Sequence, residues 1–235
     1  MQRIFNNILK FSICYFSIVM IDLVFMTFSE LEILRLVTKP ALMLLLIFFY
    51  TLNDNESTSN NFVFTILALS FFLLANVMTY FKTEPIVLVA GSIFFILGKV
   101  CYVCRFSNNR DFNILQFLPF LAFYLLYMFS ILNLTLDNLG SSLIPVLLFL
   151  FVTLLLVQFA FLRKEEVSKS SYILVMIGVF SFLLADTLSI LGSFYKYWFY
   201  ERFITMFVYA SAQYMIIMGL VKEKIEPQTK IEIES

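Results

Sequence analysis

The chain has 235 residues, of which 61% are hydrophobic and 14% charged, and sixteen basic residues balance sixteen acidic ones. Soluble domains carry about 25% charged residues, so this composition excludes a soluble globular protein and indicates an integral membrane protein. The balanced charge offers no basic face to nucleic acid. The absence of histidine removes the commonest general base and metal ligand. We therefore expect no nucleic-acid partner, no metal and no other cofactor.

Eight apolar segments approach or exceed the roughly 20 residues that a helix needs to cross a bilayer. In chain order they are 8–29, 36–52, 62–81, 86–104, 114–133, 142–162, 172–194 and 199–221. The first follows a basic start, but it continues too far for a signal peptide and lacks a small-residue cleavage site. The sequence predicts an all-α membrane bundle of eight transmembrane helices over residues 1–222. A charged cytoplasmic tail is predicted over residues 223–235.

The charges of the connecting loops predict the orientation of the bundle. Eight spans place both termini on one side of the membrane. The loops on that side carry ten Lys and Arg residues, and the loops on the other side carry four or five. Cytoplasmic loops are the ones enriched in these residues. We therefore expect both termini to be cytoplasmic.

A short phrase occurs twice in the chain. Phe72–Asn76 in the third span and Phe182–Asp186 in the seventh both read Phe-Leu-Leu-Ala followed by a polar residue. Pro40 and Pro145 recur near the starts of the second and sixth spans. The recurrence predicts a four-plus-four duplication with both halves in one orientation, as in parallel internal repeats. The alternative is chance, since the chain contains thirty phenylalanines.

Polar side chains within the spans are the candidates for function. Hydrocarbon cannot solvate them, so they should face protein or a water-filled cavity. We expect Asn76 and Asp186 to look across at each other inside the bundle, with the function in the space between them. Helical spacing places further polar residues on stripes of the second, fourth and eighth spans. The candidates on these stripes for substrate binding are Lys39, Lys99, Tyr102, Tyr209 and Gln213.

Each candidate also has a structural interpretation. Asp186 is either an acid–base group or one half of an ion pair with Lys99 or Lys39. Asn76 either positions water and substrate or makes a hydrogen bond between helices, and the same choice applies to Gln213 and the two tyrosines. At 1.5 Å per residue, Lys99 and Gln213 should lie about 10 Å nearer the inner face than Asp186 does, a gap that shifted helix boundaries and long side chains could largely close.

At these positions the sequence resembles the lysoplasmalogenase family of multi-pass membrane proteins, also called the YhhN family. The resemblance runs through Thr38-Lys39-Pro40, Phe71–Asn76, Gly91-x-x-Phe94-Phe95 with Lys99 and Tyr102, Phe182–Asp186 and Tyr209-x-x-x-Gln213. It implies an eight-helix hydrolase that cleaves the vinyl ether bond of lysoplasmalogens. The products would be a fatty aldehyde and a glycerophospho head group. The implied partner is a lysophospholipid or ether lipid, and the expected location is a bacterial plasma (inner) membrane.

The resemblance also implies that positions 76 and 186 are catalytic, and this chain departs from the family there. Asn76 stands where the family usually has aspartate, and Lys99 where it usually has histidine. Two carboxyl groups divide acid catalysis well, because repulsion between their charges keeps one protonated. Asn76 removes that repulsion, and Lys99 would hold Asp186 ionised. We therefore expect a weakened or altered hydrolase. The alternatives are a lipid-binding or lipid-transport protein without turnover, and a structural scaffold.

Overall fold

The computed structural model describes residues 7–53, 60–81, 85–107, 114–198 and 200–223. In chain order the helices of these residues are α1 (Ile8–Thr27), α2 (Arg35–Asn53), α3 (Asn60–Met78), α4 (Pro85–Phe106), α5 (Ile114–Leu139), α6 (Leu143–Leu162), α7 (Lys169–Phe194) and α8 (Glu201–Val221). Short 3₁₀ segments adjoin them at Ser29–Leu34, Thr79–Phe81, Gly140–Ser142 and Arg163–Glu165. Eight helices are long and apolar enough to span a membrane, and the described residues contain no strand. The predicted all-α membrane bundle is therefore confirmed.

The helices close into a ring with one helix outside it. α1, α2, α3, α4, α6, α7 and α8 contact one another in that order around the ring, and α8 closes it by touching both α1 and α2. α5 packs on the outside, against α6 and α7. The closest pairs, α3 with α4 and α7 with α8, occupy equivalent places in the two predicted halves. The duplication itself stays a prediction.

Both described chain ends lie at the same end of the bundle. Tyr15 of α1 donates a hydrogen bond to the carbonyl of Ala210 in α8 at 3.0 Å, and the hydroxyls of Ser12 and Tyr214 also hydrogen-bond. The start of α1 therefore packs beside the last turns of α8. The cytoplasmic location of this end stays a prediction, as does the tail, because residues 224–235 lie outside the described residues.

The tight contact between α7 and α8 depends on two glycines. A Cβ atom at Gly178 would lie 2.8 Å from Ile216 and 3.0 Å from the carbonyl oxygen of Ala212. A Cβ atom at Gly219 would lie 2.6 Å from Val175 and 3.0 Å from the carbonyl oxygen of Ser171. Small residues of this kind let transmembrane helices approach closely, so that van der Waals packing holds them together. This contact fixes the depth of Asp186 on α7 relative to the polar stripe of α8.

The close approach predicts that Gly178→Leu destabilises the bundle. The added side chain has no room between the two backbones, so the helices must separate. The cost should be about 1–3 kcal/mol, as for other overpacked interfaces. Thermal unfolding of the purified protein in detergent measures the change. Ile177→Leu is the matched control, because Ile177 faces outward, and it should leave the melting temperature unchanged. Equal melting temperatures for both variants would contradict the packing described here.

Candidate active site

The carboxylate of Asp186 lies in the bundle interior and is bound by two other helices. The Nζ atom of Lys99 on α4 lies 2.5 Å from its Oδ2 atom. The hydroxyl of Thr153 on α6 lies 2.7 Å from the same oxygen. The ammonium also donates to the Thr153 hydroxyl at 2.8 Å. Three helices therefore place one carboxylate, one ammonium and one hydroxyl in mutual contact, which is a group able to hold and exchange protons.

Two phenylalanine rings lie beside the ammonium of the charged pair. Lys99 is fully buried and Asp186 nearly so. The Lys99 ammonium lies 3.4 Å from the ring centroid of Phe149 and 5.5 Å from that of Phe182. Ring faces attract cations, while their apolar bulk keeps water away. The Lys99–Asp186 pair consequently lies in a poorly polar environment, where its two charges interact strongly and cannot be separated cheaply.

Thr153 is a site residue that sequence reasoning missed. It stands alone in an apolar stretch, and threonines in such stretches commonly bond their own helix. Its hydroxyl is indeed 2.9 Å from the carbonyl oxygen of Phe149. The single hydroxyl hydrogen can point either to that carbonyl or to Asp186. No signal in the sequence distinguishes this threonine from one that bonds only its own helix.

Two further candidate pairs join α3, α4 and α8. The Asn76 side-chain amide donates to the Tyr209 hydroxyl at 3.2 Å, and that hydroxyl lies 4.0 Å from the sulfur of Met43. The Tyr102 hydroxyl donates to Oε1 of Gln213 at 2.9 Å. All four of these polar residues are buried. The interior position expected for them is therefore confirmed, and their role in substrate binding stays a prediction.

The two repeated phrases meet inside the bundle through their first residues. The rings of Phe72 and Phe182 lie 5.4 Å apart, and the Tyr209 ring packs edge-on against Phe182 at 5.5 Å. Asn76 and Asp186 each follow one helical turn later. In the described residues, no hydrogen bond joins their side chains directly. Tyr209 connects the two positions, because its hydroxyl binds Asn76 and its ring packs beside the turn that carries Asp186.

The Lys99 ammonium reaches the Asp186 carboxylate, as the ion-pair interpretation of Asp186 expected. The length of the lysine side chain helps to close the separation that rise per residue alone suggests. The hydrogen bonds and ion pair described above for Asp186 and Asn76 do not involve Lys39. It is half-buried and lies one turn before Met43 on the same face of α2. It therefore stands beyond the Asn76–Tyr209 contact, towards the end of the bundle where α2 begins.

A second buried ion pair supports the start of α2. The fully buried Asp22 carboxylate of α1 lies 3.3 Å from NH2 of Arg35. It also accepts a hydrogen bond from the Thr38 hydroxyl at 2.5 Å. Both partners of Asp22 lie across the connection to α2, so helical spacing within α1 alone does not predict them. These contacts fix the turn that carries Lys39 and Pro40.

The network around Asp186 predicts a measurable role for Thr153 in stability. We expect Thr153→Val to cost about 1–3 kcal/mol, because a buried ammonium and carboxylate each lose a hydrogen-bond partner. Thr135→Val is the control, since Thr135 is also buried but its hydroxyl bonds only Ile131 of its own helix. Unfolding in detergent compares the two. A smaller loss for Thr153→Val than for Thr135→Val would contradict the network.

An open groove lies on the outer surface of the bundle, away from these residues. It has a volume of about 560 Å³ and is lined by Phe161, Tyr172, Ile173, Met176, Ile177, Phe180, Ser181 and Leu184. Leu184 is two residues from Asp186 and therefore points to nearly the opposite side of α7. No predicted site residue lines the groove.

Within the described part of the chain, no cluster of three His, Cys, Asp or Glu side chains could hold a metal ion.

Comparison with known proteins identifies the family. The sequence matches the YhhN family over residues 34–220, which is most of the chain and includes the predicted site residues. No curated protein and no solved structure shows significant similarity to it. The resemblance noted in the short motifs thus extends across seven of the eight helices of the bundle. The chain belongs to the YhhN family.

Proposed function

We propose that this protein is a lysoplasmalogenase-like membrane hydrolase of reduced activity. The observation that carries the proposal is the buried Asp186 carboxylate, held by Lys99 and Thr153 in a chain of the YhhN family. Buried ionisable residues inside transmembrane helices are costly, and they usually mark a functional site. The substrate would be a lysophospholipid with a vinyl ether chain, taken from the surrounding bilayer. The membrane would be a bacterial plasma membrane, with both termini cytoplasmic.

The chemistry requires one proton donor and one water molecule. A proton adds to the second carbon of the alkenyl chain, and the first carbon becomes part of an oxocarbenium ion. Water adds to that first carbon and loses a proton, and the resulting hemiacetal releases the glycerol hydroxyl and the aldehyde. Asp186 would act as the acid or base of these steps, and Asn76 with Tyr209 would position water or substrate. Lys39 or Lys99 would contact the phosphate.

Two residues, Lys99 and Asn76, would account for a low activity. The 2.5 Å contact with the Lys99 ammonium favours the ionised form of Asp186, and an ionised carboxylate has no proton to give. A proton held by the Lys99 ammonium would be a poorer source for the vinyl ether, because an ammonium is a weaker acid than a carboxyl group. Asn76 cannot supply the missing proton, because an amide does not act as an acid at neutral pH.

Aldehyde release tests the proposal. The purified protein in nanodiscs is given an alkenyl lysophospholipid, and the fatty aldehyde is measured through its enzymatic reduction. The matched control substrate is the acyl lysophospholipid of the same chain length, which has no vinyl ether and should yield no aldehyde. We expect slow release that requires the protein. Release no faster than in nanodiscs without protein would overturn the proposal.

The closed ion pair also favours a second candidate, a lipid-binding protein without turnover. Lys99 and Thr153 both bind the Asp186 carboxylate. A carboxylate bound in this way can stabilise the helix bundle without taking part in catalysis. Under this alternative the same assay yields no aldehyde. Mass spectrometry would nevertheless find an ether lipid or lysophospholipid retained through purification.

A further inference from the structure

Two buried arginines converge on one carboxylate at the end of the bundle where α4, α6 and α8 finish. Arg105 lies in the last turn of α4, and Arg163 follows α6. Their NH2 atoms lie 2.7 Å and 2.8 Å from the same Oε2 atom of Glu223, just beyond α8. The two arginines are 5% and 3% exposed. We call Arg105 and Arg163 together the arginine clamp.

Glu223 does not satisfy all the hydrogen-bond donors of the arginine clamp. The NH1 atom of Arg163 is buried, and the described residues offer it no hydrogen-bond partner. The Arg163 guanidinium lies 4.7 Å from the ring centroid of Phe106, which offers attraction but no acceptor. Glu166 interacts with Arg163 electrostatically. A buried guanidinium N–H without an acceptor is costly, so the clamp suits a ligand with more oxygens than one carboxylate provides.

We propose that the arginine clamp binds the phosphate of an anionic phospholipid, and that Glu223 occupies this site as an exchangeable substitute. Arginine side chains match phosphate because their N–H groups form pairs of hydrogen bonds with its oxygens. A phosphomonoester could accept from both NH2 atoms and also from NH1 of Arg163. The clamp lies where three transmembrane helices end, which is the depth of lipid head groups.

Glu223 is well placed to be exchanged. It stands two residues after Val221, the last residue of α8, and its backbone N–H bonds the carbonyl of Leu220 at 3.0 Å. Moving its side chain out of the clamp requires no change within a transmembrane helix. The site is separate from Asp186, so the inference does not depend on the proposed hydrolase.

Lipid-dependent thermal stability tests the proposal. The purified full chain is titrated with phosphatidic acid or phosphatidylcholine in mixed micelles, and unfolding is followed. Glu223→Gln removes the competing charge, so the phosphatidic acid concentration for half-maximal stabilisation should fall about tenfold, as expected for one charge-assisted hydrogen bond. Arg163→Met should abolish the response in either background. Arg202→Met, which removes a half-exposed arginine at the opposite end, should leave it unchanged.

Three outcomes would overturn the proposal. The first is equal stabilisation by phosphatidic acid and phosphatidylcholine. The second is an unchanged phosphatidic acid response in Glu223→Gln. The third is full stabilisation by inorganic phosphate alone, which would assign the clamp to a soluble anion rather than to a lipid. If Arg163→Met fails to fold, Arg163→Lys replaces it. That variant keeps the charge but loses the paired hydrogen bonds, and it should weaken the response.

Discussion

Replacing Asn76 by aspartate should raise the rate of aldehyde release by about tenfold or more. The change places a second carboxyl group beside Tyr209, whose hydroxyl lies 3.2 Å from the Asn76 amide and would then donate to the new carboxylate. Repulsion between positions 76 and 186 would favour a protonated carboxyl group at one of them. A positioned acid or base contributes about 10²–10⁴-fold to such reactions, so even partial recovery is measurable.

The control for this change is Gln158→Glu. Gln158 is also a buried amide bonded to a tyrosine, because the Tyr124 hydroxyl lies 2.9 Å from its Oε1 atom. It does not contact Asp186 or Asn76, so a carboxyl group there should give no gain. Aldehyde release by the three proteins is compared at equal folded concentration. A loss of activity in Asn76→Asp, or an equal gain in Gln158→Glu, would contradict the proposed roles.

Breaking the Lys99–Asp186 pair should produce the largest loss of stability. Lys99→Met or Asp186→Leu alone leaves a buried ionisable group without its partner, which costs about 3–5 kcal/mol. The double variant removes both charges and fills the space with apolar atoms, so its stability should return to within about 1 kcal/mol of the wild type. Unfolding of all four proteins in one detergent completes the cycle.

The exposed pair Arg202–Glu32 provides the matched control. Its atoms lie 2.9 Å apart, but both side chains are about two-fifths exposed. Solvent screening limits such pairs to about 0–1 kcal/mol, so Arg202→Met should change stability little. Purely additive losses in the Lys99 and Asp186 cycle would mean that the two groups are not coupled.

The fold could be predicted from sequence because a membrane imposes one simple rule. Backbone groups must bond within their own helix in lipid, so apolar stretches of sufficient length become helices. Burial of Asn76 and Asp186 followed from the same rule, since hydrocarbon cannot solvate them. Phe72 and Phe182, the first residues of the repeated phrase, meet in the interior, but no hydrogen bond joins the described side chains of Asn76 and Asp186, which were expected to face each other.

The contacts of the site could not be predicted, because they depend on which helices adjoin. Thr153 has no polar neighbour at helical spacing, and only the packing of α6 against α4 and α7 brings it to Asp186. Asp22 finds Arg35 across a connection, beyond the reach of helical periodicity. The length of the Lys99 side chain matters as well. It helps the ammonium to reach Asp186 across the separation that rise per residue alone suggests for the two backbone positions.

Carbon-bound deuterium in the aldehyde product tests the central claim most directly. When the reaction runs in D₂O, protonation of the vinyl ether by the protein places one deuterium on the second carbon of the aldehyde. We predict slow formation of this singly deuterated aldehyde by the wild type, and none above background by Asp186→Asn. Labelled aldehyde at the same rate from both proteins, or from neither, would contradict the assignment of Asp186 as the acid–base group of an ether-lipid hydrolase.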